Sequence, residues 1–288
     1  TTEIVHDRSN LEVFRGCIRG CRFCQAGMIC RPVRERSREK VVEYAEQQLK
    51  NTGYDEMSLL SLSTSDYSEI EPLVTDLMKS CKAREAGLSL PSLRLDSFSY
   101  DVLNEIQEYR KTGLTFAPEA GTQRLRNIIN KSITDEHIYS AAEQAIRLGY
   151  HNIKLYFMIG LPGETDEDFK QSCDFIDEIG FAKVHIFPYS KRSGTKAAQM
   201  ENQILKSVKQ QRERLLCEIE RKNRMEFMSR FVNKTVYVLT ERCENGVCSG
   251  FTENYIHVEF NGKADLCNTV AAVRVLRVTD GGLVGEVN

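Results

Sequence analysis

Three cysteines stand within eight residues near the start of the chain, in the run Cys17-Ile18-Arg19-Gly20-Cys21-Arg22-Phe23-Cys24. Thiolates are soft ligands, and a C-x3-C-x2-C loop can wrap one face of a cube-shaped iron–sulfur cluster. Three thiolates serve three of four irons, so the fourth lacks a protein ligand. An open iron can chelate the amino and carboxylate groups of a small molecule and pass it one electron. The competing reading is zinc, which wants a fourth nearby Cys or His with paired spacing. Cys30, six residues beyond Cys24 in an Arg-rich segment, is the only neighbour available for that role. The spacing favours iron and sulfur.

Such a loop needs a scaffold that brings several segments to one rim. The sequence repeats a unit of amphipathic helix, Gly and short apolar run. It reads Val41–Lys50, Gly53, Met57–Leu62, then Leu73–Glu85, Gly87, Leu88–Leu95, then Val102–Arg110, Gly113, Leu114–Ala117. It continues as Ile138–Leu148, Gly149, Ile153–Ile159 and Phe169–Ile179, Gly180, Val184–Phe187. Each Gly falls where a helix end calls for a left-handed residue, and each apolar run suits a strand buried on both faces. With Leu11–Phe14 as a first strand, about six β-α units predict a parallel sheet, doubly wound or curled into a partial barrel short of the eightfold form. Ligands of such sheets gather at the C-terminal strand ends, where the cysteine loop falls.

Beyond residue 200 the pattern changes. Residues 201–227 form a long charged helical stretch with an apolar stripe of Ile204, Val208, Leu215, Leu216 and Ile219. Short β-type runs follow at Thr235–Leu239, Tyr255–Phe260, Val273–Val278 and Leu283–Val287. Asn245-Gly246, Asn261-Gly262 and Asp280-Gly281-Gly282 supply hairpin turns. These features predict a small all-β barrel of OB-like size. The expected organisation is a core domain over 1–200, a connecting helix over 201–228 and a barrel over 229–288.

Composition narrows the partners. The 288 residues are 41% hydrophobic and 28% charged, with a formal net charge of −2. That excludes a uniformly basic protein, so nucleic-acid contact must be local. One local patch exists: Arg15 to Lys40 holds eight Arg or Lys against two Glu. It suits an anionic substrate or the negative charge of a cluster, and equally a solvated face. Residues 229–288 carry six basic and seven acidic side chains, weak electrostatics for RNA. Phe231, Tyr237, Phe251 and Tyr255 in that tail are either stacking surfaces or core. Ten cysteines in a chain with long helical and strand patterns read as reduced thiols with some metal ligation. Cys243, Cys248 and Cys267 read as small buried hydrophobes rather than a second metal site. With no bilayer-length apolar run and no signal-type start, no membrane association and a cytoplasmic location are the expectations, although the first residue is Thr rather than Met.

The cysteine loop with Phe23 before its last thiol resembles the radical-SAM superfamily. "VFRGCIRGCRFCQAGMICRPVRERS" from Val13 is similar to one bacterial branch whose longer members carry a cobalamin-binding-like domain. The similarity runs through "LSLSTSDYSEIEPLV", "LPSLRLDSFS", "TFAPEAGTQRLRNIINKSIT" and "IKLYFMIGLPGETDEDF", about the first 175 residues. Cys30 stands where that branch usually has Tyr. The last third, with "HIFPYSKRSGTKAAQM" and "GFTENYIHVEF", resembles methylthiotransferases of the MiaB and MtaB type, whose tail is a TRAM domain, a small RNA-binding barrel. The resemblance implies an α/β fold, a partial (β/α)6 radical-SAM barrel followed by a small all-β (TRAM/OB-like) barrel.

It also implies the cofactors. Cys17, Cys21 and Cys24 would hold a [4Fe-4S] cluster, and S-adenosylmethionine (SAM) would complete the open iron. Reductive cleavage of SAM would give a 5′-deoxyadenosyl radical that takes hydrogen from a C–H bond. Phe23 would pack near adenine, with Gly160-Leu161-Pro162-Gly163-Glu164 allowing close backbone approach through Gly160 and Gly163. Ser63, Thr64 and Ser65 would replace the family's glycine-rich second-strand motif, and Glu119 would meet the ribose hydroxyls or the amino group. Arg94 and Lys154 are cations in otherwise apolar strands, each suited to a carboxylate, from SAM or from within the barrel. Glu164 closes the glycine motif, and Thr165-x-x-Asp168 caps the next helix. The implied partners are tRNA and an electron donor such as flavodoxin or ferredoxin, with methylthiolation as the reaction. Methylthiotransferases carry a second cluster on three upstream cysteines that have no counterpart before Leu11. A complete chain would then carry out another radical modification. The remaining alternatives are a radical-SAM enzyme with a non-RNA substrate, a non-catalytic cluster-carrying RNA-binding protein, and a zinc-binding structural protein.

Overall fold

The computed structural model describes residues 7–91, 93–97, 100–107, 114–150 and 153–287. The chain divides into two compact units, Thr1–Asp168 with Pro188–Leu205, and Phe169–Phe187 with Lys206–Asn288. Phe169–Phe187 falls in the second of these units.

The first unit alternates strand and helix. Its elements are β1 (Ser9–Glu12), β2 (Phe14–Arg15), α1 (Ala26–Ile29), β3 (Arg34–Glu35), α2 (Arg38–Thr52), β4 (Glu56–Leu60) and α3 (Ile70–Lys82). There follow β5 (Gly87–Ser89), α4 (Tyr100–Gln107), β6 (Leu114–Glu119), α5 (Gln123–Ile128), α6 (Asp135–Arg147), β7 (Ile153–Ile159) and α7 (Asp166–Ile179), whose start belongs to this unit. β8 (Phe187–Pro188) and α8 (Lys196–Gln199) complete the series. Six strands form two three-stranded groups, β1-β4-β5 and β6-β7-β8. β1–β4, β4–β5 and β6–β7 are parallel, with Leu11 beside Leu59 and Thr115 beside Lys154. The alternation is that expected of repeated β-α units, set in two separate sheets among the described residues.

Burial explains the register. Met57, Ser58 and Leu59 of β4 are all buried, as a strand covered on both faces requires. Leu11, Val13, Leu73, Leu77 and Met78 close over them in one core. Ser37 caps α2 by accepting from the Lys40 amide, and Gly53 ends that helix in the left-handed region.

Several expectations fail locally. The strand expected over Leu88–Leu95 ends at Ser89 and gives way to a 3-10 turn over Leu95–Ser97. Gly87 opens β5 rather than ending α3; the left-handed residue there is Glu85, φ 55°. The helix end at Arg110 and Gly113 lies outside the described residues. β7 exposes alternate side chains instead of burying both faces, so Lys154 is solvated.

The second unit joins the rest of α7 to α9 (Lys206–Ser229) and to five strands: β9 (Thr235–Glu244), β10 (Val247–Thr252), β11 (His257–Asn261), β12 (Val270–Thr279) and β13 (Gly282–Val287). Asn223 of α9 donates to the Ile176 carbonyl at 2.9 Å, and Lys222 pairs with Asp177 at 2.9 Å, which is why α7 travels with α9. On the helix stripe Leu216 is buried and Leu215 exposed. The strands close a barrel in the order β10-β11-β13-β12-β9. Val238, Val258, Phe260, Val273 and Leu283 fill it, with Met228 at the end of α9. Asn245-Gly246 and Asp280-Gly281 turn hairpins, whereas Asn261-Gly262 leads into a 3-10 turn instead. Cys243 and Cys248, cross-strand neighbours either side of the first hairpin, form a disulfide. They are neither metal ligands nor free apolar side chains. Cys267 remains a free thiol.

β10 escapes the apolar pattern because Gly250 interrupts it at a bulge opposite β9. A Cβ at residue 250 would sit 1.9 Å from the Leu239 carbonyl oxygen, so only glycine lets the strands meet. Gly250→Ala should destabilise the barrel by about 2 kcal/mol or more. Chemical denaturation of the full chain checks this, and an unchanged midpoint would refute the close approach.

Candidate functional site

The cysteine loop leaves β2 through Gly16, φ 95°, where a Cβ would lie 2.8 Å from the Cys30 carbonyl oxygen and 2.9 Å from that of Pro32. Glycine alone lets the loop thread past the segment that returns into β3. Cys17, Cys21 and Cys24 are all free thiols and half-buried. The Cys24 amide donates to the Cys21 carbonyl at 3.1 Å, and the Cys24 thiol accepts from the Gly27 amide at 3.4 Å. Burial raises the Cys21 pKa, opposed by the nearby cations Lys131 and Arg94.

The end of α5 staples this loop from below. Asn130 donates its side-chain amide to the carbonyls of Arg19 at 3.1 Å and Gly20 at 3.0 Å. The Arg22 amide donates to Ile129 at 2.9 Å and its guanidinium to the Ile128 carbonyl at 2.7 Å. Arg126, wholly buried, donates to the carbonyls of Ala120 at 2.9 Å and Ile133 at 2.8 Å and pairs with Asp135. It thereby fixes the residue after Glu119 and the turn after Lys131. A buried guanidinium with its donors spent on carbonyls and a carboxylate is a satisfied one.

Glu119 ends β6 in the left-handed region, φ 72°, which a non-glycine residue occupies only where its surroundings hold it. Its carboxylate lies 3.7 Å from the Lys131 ammonium, a loose contact for two charged groups. Burial raises the Glu119 pKa, countered by Lys131 and Arg94. Lys131 is buried, with 7% of its surface exposed. The structure thus gathers Cys21, Glu119, Lys131 and Arg94.

A second network ties the loop to the other strand ends. Arg19 binds Asp66 through two bonds and reaches Asp96 at 3.3 Å, while Arg94 grips Asp96 at 2.9 and 2.8 Å. Burial raises both aspartates, but Arg19 and Ser63 at Asp66, and Arg94 and Arg19 at Asp96, leave them below the usual range. Arg94 is therefore partnered within the barrel. The Ser63 hydroxyl is spent on Asp66 at 2.7 Å, Thr64 is fully buried against Ser61 at 2.9 Å, and Ser65 accepts from the Arg94 amide at 3.1 Å. These hydroxyls brace the rim. Lys154, exposed on β7, is not among the gathered residues.

The glycine motif behaves differently again. Gly160 and Gly163 have φ of 71° and 80°, and the buried Glu164 carboxylate accepts from the Gly160 amide at 2.8 Å. Glu164 therefore shapes the loop from inside. Leu161 packs with Ala120, Leu125, Ile129 and Tyr189, and Phe23 lies against the same cluster. Asp168 caps α7 together with Thr165, as expected, and also binds Thr122 at 2.7 Å and Arg124. Burial opposes its charge, but the bonds from Arg124, Thr122 and Thr165 hold its pKa far below the usual range.

The donor set, three free thiols on one loop with Cys17 and Cys24 acting electrostatically on Cys21, suits the separate irons of an iron–sulfur cube. Cys30 is exposed and outside the cluster loop. Lys131, Arg126, Asp66 and Asp96 escaped the sequence reading because burial of a charge is not visible in a charge count, and Asn130 because its partners, the Arg19 and Gly20 carbonyls, lie more than a hundred residues away.

The chain belongs to the Radical SAM superfamily, whose match covers residues 11–176. That family uses a [4Fe-4S] cluster and SAM. The chain is 27% identical over 283 residues to threonylcarbamoyladenosine tRNA methylthiotransferase MtaB of Bacillus subtilis, covering 94% of this chain and 62% of that protein. It is 28% identical over 249 residues to ribosomal protein uS12 methylthiotransferase RimO of Caldanaerobacter subterraneus, covering 83% of this chain and 56% of the relative. The chain thus spans about three fifths of the length of these relatives. In fold it is similar to the radical SAM methyltransferase TsrM of Kitasatospora setae, whose solved structure holds cobalamin and a [4Fe-4S] cluster. The TM-score is 0.56 at 12% identity, over 91% of this chain and 45% of that one.

Asp168→Asn should cost about 1–3 kcal/mol at neutral pH. Because the folded-state pKa is depressed, that stability is present in full above about pH 4 and is lost as the pH falls through the folded value. The gap in melting temperature between native chain and variant should be constant from pH 7 to about pH 4 and narrow as the pH falls further. A gap that does not narrow below about pH 4 would contradict the assignment.

Proposed function

We propose that this chain is the catalytic core of a radical-SAM RNA-modifying enzyme of the methylthiotransferase kind. One observation carries the reading: three free thiols on a loop stapled beside a buried Lys131 and a backbone-constrained Glu119.

Cys17, Cys21 and Cys24 would hold the cluster. When bound, the cluster supplies one electron that splits the sulfonium C–S bond of SAM and yields the 5′-deoxyadenosyl radical that removes hydrogen from the substrate. Lys131, whose nearest carboxylate is 3.7 Å away, is the cation suited to the carboxylate of SAM. Arg94 is committed to Asp96 and acts through its charge alone. Glu119 accepts from the amino group or the ribose hydroxyls. Phe23 and the backbone of Gly160–Gly163 offer a flat apolar edge for adenine, and the cluster of Ala120, Leu125, Ile129 and Leu161 behind it excludes water.

RNA is favoured by the relatives named as tRNA methylthiotransferases and by the outer face of the barrel. There Val270, Leu239, Phe251 and His257 sit side by side across β12, β9, β10 and β11. Tyr237 is 67% exposed and Tyr255 84%, far from the core positions such aromatics usually take. Bases stack on such surfaces. Phe231 packs instead against the barrel core. A protein substrate is the second reading, favoured by the small acidic excess of residues 229–288 and by the relative that acts, by its name, on ribosomal protein uS12.

Two assays decide. With SAM and dithionite under anaerobic conditions the chain should release 5′-deoxyadenosine, and Cys21→Ala should release none. Lys131→Met should keep the cluster absorption and raise the KM for SAM about tenfold or more, as loss of a charged hydrogen bond implies. An unchanged KM removes Lys131 from the site. For the substrate, Tyr237→Ala with Phe251→Ala should weaken tRNA binding about tenfold in a filter assay. Unaltered tRNA affinity with retained SAM cleavage would favour the protein substrate.

A further inference from the structure

We infer that Cys243, Cys248 and Cys267 form a thiol–disulfide exchange site at one end of the barrel, with Cys243 joined in turn to Cys248 or to Cys267. The exchange goes beyond the function proposed above and does not depend on it.

The observed disulfide is a weak brace. Cys243 and Cys248 are separated by 5 in sequence and already face each other in the β9–β10 ladder. Closing so short a loop removes little freedom from the unfolded chain. Five hydrogen-bonded strands close the barrel without it. Its two sulfurs also differ in access. Cys248 is fully buried whereas Cys243 is half-buried, so an attacking thiol reaches Cys243 first.

A free thiol is held beside this pair. The segment before β12 runs antiparallel along β9: the Thr240 amide donates to the Thr269 carbonyl at 2.9 Å, and the Asn268 amide to the Thr240 carbonyl at 2.8 Å. Cys267 comes next, half-buried, and donates its thiol to the Glu241 carbonyl at 3.3 Å, two residues before Cys243 on the same strand. The start of this segment lies on the disulfide. A Cβ at residue 262 would meet the Cys248 sulfur and the Leu266 side chain at 2.9 Å each, so glycine is what lets it pack there.

The surroundings also suit Cys248 as a thiol. Its sulfur lies 3.5 Å from the Lys263 carbonyl oxygen. That carbonyl accepts from the Leu266 amide at 3.1 Å and has a second lone pair to offer. In the disulfide Cys248 has no proton to give it; released as a thiol, it has one.

In the exchange the Cys267 sulfur, as thiolate, attacks the Cys243 sulfur. The Cys243–Cys267 bond forms, the Cys243–Cys248 bond breaks, and the proton lost by Cys267 ends on Cys248. No oxidant or reductant is consumed. Cys267 leaves the Glu241 carbonyl, so the segment 262–269 must shift. That segment leads into Val270, which is exposed beside Leu239 on the outer face of the barrel. The choice of partner for Cys243 thus sets how β12 enters that face.

The test maps disulfides in the full chain, folded and without iron, in a mildly oxidising glutathione buffer, by acid quenching, alkylation and peptide mass spectrometry. The native chain should show Cys243–Cys248 as the main pair and Cys243–Cys267 in on the order of a few per cent of molecules. Cys248→Ser should move Cys243 onto Cys267, and Cys267→Ser should leave Cys243–Cys248 alone. The proposal is overturned if Cys248→Ser leaves Cys243 unpaired, or pairs it with glutathione or the exposed Cys217 as often as with Cys267. Should that variant fail to fold by circular dichroism, the native chain decides, and finding no Cys243–Cys267 pair there overturns the proposal too. Hydrogen exchange reads the shift of the segment. The Thr240 and Asn268 amides should exchange about tenfold faster in oxidised Cys248→Ser than in oxidised Cys267→Ser. Equal rates would mean that the pairing moves nothing, which overturns the switch.

Discussion

Everything at this site depends on holding a short, thiol-rich loop in one shape without secondary structure to do it. Three half-buried cysteines in eight residues leave no room for a helix or a strand, so the backbone of Arg19, Gly20 and Arg22 must find partners elsewhere. It finds them in the turn after α5, where Asn130 and Ile129 supply them, and in α8, whose Ala197 amide donates to the Arg22 carbonyl at 2.8 Å. That turn also carries Lys131 toward Glu119 and is held by the buried Arg126. One short segment therefore sets the thiols, the cation and the carboxylate together. A shift of that segment would misplace all three at once.

Charge alternation closes the opposite side. Arg19, Asp66, Asp96 and Arg94 form a chain of opposite charges linking the loop to the turns after β4 and β5. Each carboxylate meets at least one guanidinium, so burial is compensated locally. The glycine motif after β7 is held by a different device, the Glu164 carboxylate bonded to the Gly160 amide from within. Three separate polar arrangements thus brace the strand ends beside which a ligand would bind.

The sequence made the β-α alternation plain because its helices are amphipathic and Gly53, Gly149 and Gly180 end them in the left-handed region. It also made the cysteine loop and the Thr165–Asp168 cap plain, since both depend on short spacing. What it hid depends on contacts between distant residues. Lys154 looked buried because its strand is apolar, yet β7 shows one face to water. Ser63 and Thr64 looked available because hydroxyls carry no mark of their partners. Nothing in the sequence marks Lys131 as buried. The disulfide followed from a turn that was recognised, Asn245-Gly246, but whose register places Cys243 opposite Cys248 only once β10 is known.

The central claim is that Cys17, Cys21 and Cys24 share a four-iron cluster with one iron free for SAM. The most direct measurement is electron paramagnetic resonance of the anaerobically loaded, dithionite-reduced chain with and without SAM, beside iron and sulfide analysis. The account predicts four irons and four sulfides per chain and a reduced-cluster signal that shifts when SAM is added. A chain that retains zinc in place of iron, or a cluster signal indifferent to SAM, would contradict it.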